Sequence, residues 1–283
     1  MRDSFIHITD LHFWEVITNP FRLLNKRLIG NVNVILKRRH DFIMQRAWHY
    51  VDYVASLSPK EVIITGDFTS TSTQWEFEQG LRFCQALSDA GKQVTVIPGN
   101  HDVYTFASQR DRIFAKHFFP WLTQEPSPVV QNLAGGTPVL YIPTVCPNAI
   151  SSMGRVTSYQ LDAAALLLDR LESPVIIAAH YPFLNETLGY TIKPNRRLRN
   201  ADRLQMMLGE SGKEILYVSG HVHRFSDTVD PRYPNIRHLT SGAFFRTAPE
   251  SNADGDLTVV EVSTEGTFEL TRHLHHDGAW HTQ

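Results

Sequence analysis

Short apolar runs that each end in a polar cluster set the rhythm of this chain. Phe5-Ile6-His7-Ile8 leads into Thr9-Asp10, Glu61-Val62-Ile63-Ile64 into Thr65-Gly66-Asp67, and Val94-Thr95-Val96-Ile97 into Pro98-Gly99-Asn100-His101-Asp102. Val139-Leu140-Tyr141-Ile142 follows, then Val175-Ile176-Ile177 before Ala178-Ala179-His180, and Ile215-Leu216-Tyr217-Val218 before Ser219-Gly220-His221. Short β-branched runs without alternation predict strands buried on both faces. Helical patterns lie between them. Thr73 with Glu76 forms a capping box ahead of Trp75, Leu81, Cys84 and Leu87, and Gly91-Lys92 supplies a stop. Thr157 with Gln160 repeats the box ahead of Leu161, Leu166, Leu167 and Leu171, and Asn200 reads as the N-cap of a helix through Leu204, Met207 and Leu208. Leu257–Val262 and Thr267–Leu270 read as a hairpin across Thr264-Glu265-Gly266. Alternating strand and helix predict α/β layers, and the C-terminal strands predict a second sheet.

Composition narrows the class. The chain has 283 residues, 42% hydrophobic and 20% charged, with a formal net charge of −2, which is too apolar and too balanced for a disordered chain. A strongly basic nucleic-acid binder is not indicated. Two cysteines, Cys84 and Cys146, exclude a disulfide scaffold and a four-cysteine zinc site. With no repeat and no Pro/Gly linker, residues 1–283 are expected to form a single domain. The N-terminus runs directly into a strand pattern, and no run reaches the ~20 apolar residues of a membrane span. A cytoplasmic protein is therefore expected.

The chemistry sits at the strand ends, where α/β proteins gather functional residues. Asp10 and His12, Asp67, Asn100 and His101, His180, and His221 with His223 all fall there. All carry oxygen or nitrogen donors, a set suited to Mn, Fe or Zn rather than to Mg or Ca. They are too many for one tetrahedral site; two metals bridged by a carboxylate use them economically. Asp10 and His12, two apart on extended backbone, are expected to point the same way. Gly66, Gly99 and Gly220 precede ligand candidates, as tight turns require. Taken singly, each of these is more simply a cap or a turn residue. Five in order, each closing a strand, make a pattern.

In that pattern the chain resembles the calcineurin-like metallophosphoesterases, whose signature runs D-x-H, GD, GNH[DE], H and G-H-x-H. Here these are Asp10-Leu11-His12, Gly66-Asp67, Gly99-Asn100-His101-Asp102, His180 and Gly220-His221-Val222-His223, spanning about three-quarters of the chain. The resemblance implies an α/β four-layer α/β/β/α sandwich of two mixed β-sheets flanked by helices, with two divalent metal ions at one edge. It implies Asp10, His12, Asp67 and His223 on the first metal and Asp67, Asn100, His180 and His221 on the second, with Asp67 bridging. It further implies hydrolysis of a phosphodiester or pyrophosphate by in-line attack of a metal-bridging hydroxide. His101 is then the residue that stabilises the transition state or protonates the leaving oxygen, with Asp102 orienting its ring.

The chain departs from compact relatives in one place. His12 and Asp67 are 55 positions apart, which leaves room for an insertion at about 13–46. Residues 16–40 hold Arg22, Lys26, Arg27, Lys37, Arg38 and Arg39 and no acid. Phe21, Leu24 and Leu28 fall at helical spacing; after Gly30, Val32, Ile35 and Leu36 resume it, predicting two short basic amphipathic helices. Two readings stay open: a stripe packed on the domain with a solvated basic rim, or a lid or peripheral membrane contact. The latter is similar to the UDP-diacylglucosamine pyrophosphohydrolases, whose acyl site lies under a helical insertion, although their best-known branch has Arg where this chain has His101. A non-catalytic protein-binding scaffold is the rival class, and full retention of the motif positions argues against it. A nuclease lacks support from the near-neutral charge. His273, His275, His276 and His281 read as a surface tail, and His7, His40, His49, His117 and His238 as structural or surface residues.

Overall fold

The computed structural model describes residues 3–122, 127–187 and 190–283. Two six-stranded mixed sheets dominate it. The first runs, in order, Ala279–Thr282, Phe268–His276, Gly255–Val262, Ser4–Ile8, Glu61–Ile64 and Gln93–Val96. The second runs Ser226–Val229, Ile236–Thr240, Ile215–Ser219, Val175–Ala178, Pro138–Tyr141 and Val129–Asn132. Ser4–Ile8, Glu61–Ile64 and Gln93–Val96 pair in parallel, as do Pro138–Tyr141, Val175–Ala178, Ile215–Ser219 and Ile236–Thr240. These parallel strands are the ones that carry the polar clusters, so their carboxyl ends converge on one edge.

Period-two alternation assigns each strand residue to one of three cores. Phe5, Ile63 and Val260 face Ile176, Leu216 and Leu239 between the sheets. Their neighbours Ile6, Ile8, Val62 and Ile64 face outward, against Ala47 and Val54 of helix Gln45–Ser56 and Phe77 and Phe83 of helix Gln74–Asp89. On the opposite flank Ile177, Ile215 and Tyr217 meet Leu161 and Leu168 of Ser158–Asp169 and Leu204 and Leu208 of Ala201–Glu210. Three interlayer cores require four layers, α/β/β/α, as expected. Both capping boxes form: Thr73 and Glu76 bond reciprocally, as do Thr157 and Gln160.

Several expectations are corrected. The C-terminal strands build no separate sheet; Gly255–Val262 pairs antiparallel with Ser4–Ile8 and extends the first one. A third strand, Ala279–Thr282, follows the hairpin, so the C-terminal histidines are strand residues rather than a tail. His273 and His275 bond the hydroxyls of Tyr53 and Tyr50 at 2.7 and 2.9 Å, which gives them packing roles. Asn200 has a left-handed backbone (φ 64°) and makes no side-chain cap; its amide donates to Val156 O instead. In the insertion, Gly30 does not interrupt the helix. Arg27–Asn33 continues through a π-turn at Val34–Arg38 into Arg39–Asp41. Gly30 is needed for closeness, because a Cβ there would lie 2.7 Å from Thr71 and 2.9 Å from the Tyr104 hydroxyl. Nor does the apolar stripe pack on the domain: Phe21 and Leu24 are each 81% exposed and Leu36 73%.

Candidate metal centre

Beyond the ends of Ser4–Ile8 and Glu61–Ile64 the two chains stay side by side. The amides of Asp10, His12 and Phe13 donate to the carbonyls of Gly66, Asp67 and Phe68 at 3.0, 2.8 and 2.8 Å. The extended backbone expected at Asp10 and His12 is not found; Asp10 (φ 54°), His12 (φ 51°) and Asp67 (φ 57°) are left-handed. Alternating a left-handed residue with Leu11 still turns Asp10 and His12 to one side while burying Leu11 in the core. After Gly220 the pair His221 (φ 70°) and His223 (φ 58°) is also left-handed. Gly66 and Gly99 abut, backbone against backbone.

These turns bring the seven candidate ligands together. Single donor atoms of Asp10, His12, Asp67 and His223 all lie within 4.8 Å of one another, and those of Asp67, His180 and His221 do likewise, so Asp67 belongs to both groups. Three of the four rings, those of His12, His180 and His221, are aimed by a backbone carbonyl at the far nitrogen. His180 Nδ1 donates to Thr65 O at 2.7 Å and His221 Nε2 to Arg196 O at 2.9 Å, while His12 Nδ1 lies 3.1 Å from Thr69 O. A carbonyl only accepts, so the inward nitrogens of His180 and His221 are lone pairs. Both face Asn100 Oδ1, at 3.1 and 2.8 Å. Three acceptors therefore converge with no proton among them, and the Asn100 amide nitrogen and Asp10 Oδ1 are buried without a hydrogen-bond partner.

Electrostatics point the same way. Burial, followed by the neighbouring Asp10 and Asp102 carboxylates, pushes Asp67 well above the ordinary carboxylate range. Burial holds His12, His180, His221 and His223 below the ordinary imidazole range, neutral and ready to ligate. A buried set of crowded carboxylates, neutral imidazoles and opposed lone pairs fits divalent cations.

His101 and Asp102 do not pair as the motif implies. Asp102 accepts from the amides of Gly99, Phe68 and Thr69 at 2.8, 3.2 and 2.9 Å and pins two turns together, because unpaired amides at a buried junction need an acceptor. Burial pushes its carboxyl up to about 6. The His101 ring is oriented instead by Ser70 O, 2.7 Å from Nδ1, and its Nε2 accepts from Arg38 at 2.9 Å. Arg38 is only 7% exposed. Sequence reading placed it on a solvated or membrane-facing stripe; a basic Lys-Arg-Arg run carries no mark of which side chain turns inward.

Above the cluster lies a cavity of about 530 Å³. Lys26, Lys37 and Arg38 of the insertion line it opposite Lys193, Arg196, Arg224 and Arg246, and Asp41 is its one acidic lining residue among those described. Phe42, His101 and His223 border the same space.

Residues 4–225 match the calcineurin-like phosphoesterase family. No curated protein matches the sequence. Among solved structures, the fold is similar to a dimetal phosphatase from Danio rerio, at 12% identity and a TM-score of 0.57, covering 99% of this chain and 98% of that one. It is also similar to the purple acid phosphatase PPD1 from yellow lupin (Lupinus luteus) seeds, at 11% identity and a TM-score of 0.59, covering 99% of this chain and 53% of that one. At such identities these likenesses establish the fold. The family match, which covers every cluster at the sheet edge, establishes more: the chain belongs to the calcineurin-like phosphoesterases, hydrolases acting on phosphoric ester bonds.

Proposed function

We propose that this chain is a metal-dependent phosphohydrolase that cleaves a phosphodiester or pyrophosphate bond. The observation that carries the proposal is the convergence of buried acceptors, with Asn100 Oδ1 facing two imidazole lone pairs beside a carboxylate common to both groups. Asp10, His12, Asp67 and His223 would hold one cation and Asp67, Asn100, His180 and His221 the other. When bound, two such cations supply an activated water nucleophile and a clamp on the phosphate oxygens. The protein's own share is positioning. The carbonyls of Thr65, Thr69 and Arg196 fix the imidazoles, and Asp102 fixes the turn that presents Asn100 and His101. The excess of cations around the cavity favours substrates with more than one negative charge, which supports the pyrophosphate arm.

A second reading, a lipid-linked pyrophosphate cleaved at a membrane surface, is favoured by one specific feature. Phe21, Leu24 and Leu36 are exposed on the insertion, which also brings Lys26, Lys37 and Ile29 to the cavity. That combination of apolar and basic side chains suits an anionic lipid surface. The reading takes residues 1–283 as one domain with the insertion as part of it; Trp14 Nε1 donates to Phe42 O and ties the segment's two ends, and Ile17 N donates to Asn31 Oδ1 at its middle, each at 2.8 Å.

The test is elemental analysis of the purified protein together with hydrolysis of bis-p-nitrophenyl phosphate, a nucleotide-sugar pyrophosphate and a lipid pyrophosphate. Two metal equivalents with cleavage of a diester or pyrophosphate are expected. Fewer than one equivalent after loading with Mn, Fe or Zn, and no cleavage, would favour a binding scaffold. Co-sedimentation with anionic liposomes that is lost in Phe21→Ser/Leu24→Ser supports the lipid reading, and no co-sedimentation of the parent protein removes it.

A further inference from the structure

We propose that Arg38, delivered by the insertion, is the catalytic side chain that meets the substrate phosphate, and that His101 is the positioning residue that aims it. The hydrogen-bond geometry of His101 is the starting point. Its Nδ1 donates to Ser70 O at 2.7 Å, so Nε2 carries the lone pair, and Nε2 accepts from Arg38 Nη2 at 2.9 Å. Both ring nitrogens are therefore engaged, one by Ser70 and one by Arg38. Its visible work is to hold a guanidinium.

That guanidinium is built as an anion site. Arg38 is more than nine-tenths buried, and no carboxylate among the described residues lies within ion-pairing distance of it. Three of its donor contacts are accounted for: Nη1 with Ser70 Oγ at 2.9 Å and His12 Nδ1 at 2.8 Å, and Nη2 with His101. A guanidinium has five N–H groups, so two remain, on a residue that lines the cavity beside the metal cluster. A buried, unpaired cation is costly unless an anion comes to it. Planar guanidinium donors match phosphate oxygens bidentately, which a lysine cannot do.

The contact with His12 adds a link to the cluster. His12 Nδ1 lies between Thr69 O at 3.1 Å and Arg38 Nη1 at 2.8 Å, and it cannot donate to the first while accepting from the second. Were His12 Nε2 to ligate a cation, the ring proton would sit on Nδ1 and go to Thr69 O; Arg38 Nη1 would then face another donor and have to turn from it, toward a different acceptor. The approach of Arg38 depends on the π-turn at Val34–Arg38; such turns re-aim side chains and recur at functional sites.

The proposal rests on the phosphoester reading for its substrate, so the experiment separates the two. Metal-loaded protein of measured metal content is assayed with methyl p-nitrophenyl phosphate and methyl phenyl phosphate, and inorganic phosphate binding is followed by calorimetry. Arg38→Gln and His101→Ala should each lower kcat/KM by about 100-fold, by the same factor for both esters, and weaken phosphate binding about tenfold. The double variant should be no worse than about threefold below Arg38→Gln. His101→Gln, whose amide oxygen can accept from Arg38, should recover most of the loss, and added guanidinium should partly rescue Arg38→Ala. The proposal is overturned by a His101→Ala defect that grows with the poorer leaving group, by multiplicative losses in the double variant, or by phosphate binding that is absent in the parent protein or unchanged in Arg38→Gln. If the parent protein cleaves neither ester, the diester reading fails, while the phosphate titration still decides the role of Arg38.

Discussion

Substituting Gly99 by Ala tests whether backbone contact between two turns sets the metal site. A Cβ on Gly99 would lie 2.2 Å from both the amide nitrogen and Oδ1 of Asp67, and one on Gly66 would lie 2.2 Å from Gly99 N. Real Cβ contacts essentially never fall below 3.0 Å, so Asp67 or the Gly99 turn must retreat by at least 0.8 Å. Neither has room. Asp67 Oδ1 accepts from His101 N at 2.7 Å, and Gly99 N donates to Asp102 at 2.8 Å. Overpacking of a tight site costs about 1–3 kcal/mol, and a strained charge-assisted bond adds about 1–2 kcal/mol. A loss near 3 kcal/mol leaves a typical domain of about 5–15 kcal/mol folded. The effect on the cluster is larger in kind, since metal–ligand distances tolerate only about 0.2 Å. Gly99→Ala should therefore fold with a lowered urea midpoint and lose high-affinity binding of both cations in a calorimetric titration, because Asp67 is common to both groups. Gly91→Ala is the control: it also has a positive φ (83°) but meets nothing within 4 Å, so it should cost about 1 kcal/mol and leave cation binding alone. Wild-type binding of two equivalents by Gly99→Ala would refute the reasoning.

Two other outcomes follow from charge and burial. His7, fully buried between Ser241 and Thr65 hydroxyls at 2.7 and 2.9 Å, is held down to about 3 from 6.5, chiefly by burial. Between those values the unfolded chain binds a proton that the folded chain refuses, so stability falls on acidification by about 1.4 kcal/mol per pH unit. His7→Gln should flatten the slope of urea-derived stability from pH 4 to 6 by that amount; an unchanged slope would place a charged His7 in the fold. Saturating divalent cation at about a hundred times its dissociation constant should stabilise the protein by about 2.7 kcal/mol per site, seen as a rise in Tm that a chelator reverses. Asp67→Asn should abolish most of that rise at both sites, and a rise of the parental size would remove Asp67 from its shared position.

Much of this was readable because strands and caps are local. Four-residue runs such as Glu61–Ile64 carry their own pattern, and Thr73 and Glu76 carry theirs, so the order of layers and the placing of the strand-end clusters needed no tertiary knowledge. What escaped depends on partners distant in sequence. The Tyr50 and Tyr53 hydroxyls that give His275 and His273 their place lie more than two hundred residues away. Asp102 beside a histidine reads as its orienting carboxylate, yet the amides of Phe68 and Thr69 claim it. Arg38 reads as one more charge in an acid-free segment. Only folding shows that its π-turn points it at His101 and leaves Phe21 and Leu24 outside.

Local propensity was also overruled where the chemistry sits, and that conflict is measurable. Asp10, His12, Asp67, His221 and His223 all adopt positive φ, a region where a β-carbon costs about 1–2 kcal/mol. Glycine would relieve each of them but would remove the donor atom. The conformation persists because neighbours leave no alternative: Asp10 N and His12 N are held by Gly66 O and Asp67 O, and His221 N by Asp10 Oδ2 at 2.9 Å. A ligand position under strain should thus respond to truncation in an order opposite to that of a helix. In cation-free protein, His223→Gly and His223→Ala lose the same ring contacts with His12 and Phe42, but only alanine keeps the left-handed penalty at φ 58°. His223→Gly should be the more stable by about 1 kcal/mol in urea unfolding, after allowing for the greater freedom glycine gives the unfolded chain. Greater stability of His223→Ala would mean that the turn after Gly220 relaxes without its imidazole, and that the ring itself, rather than the surrounding sheets, holds the backbone in place.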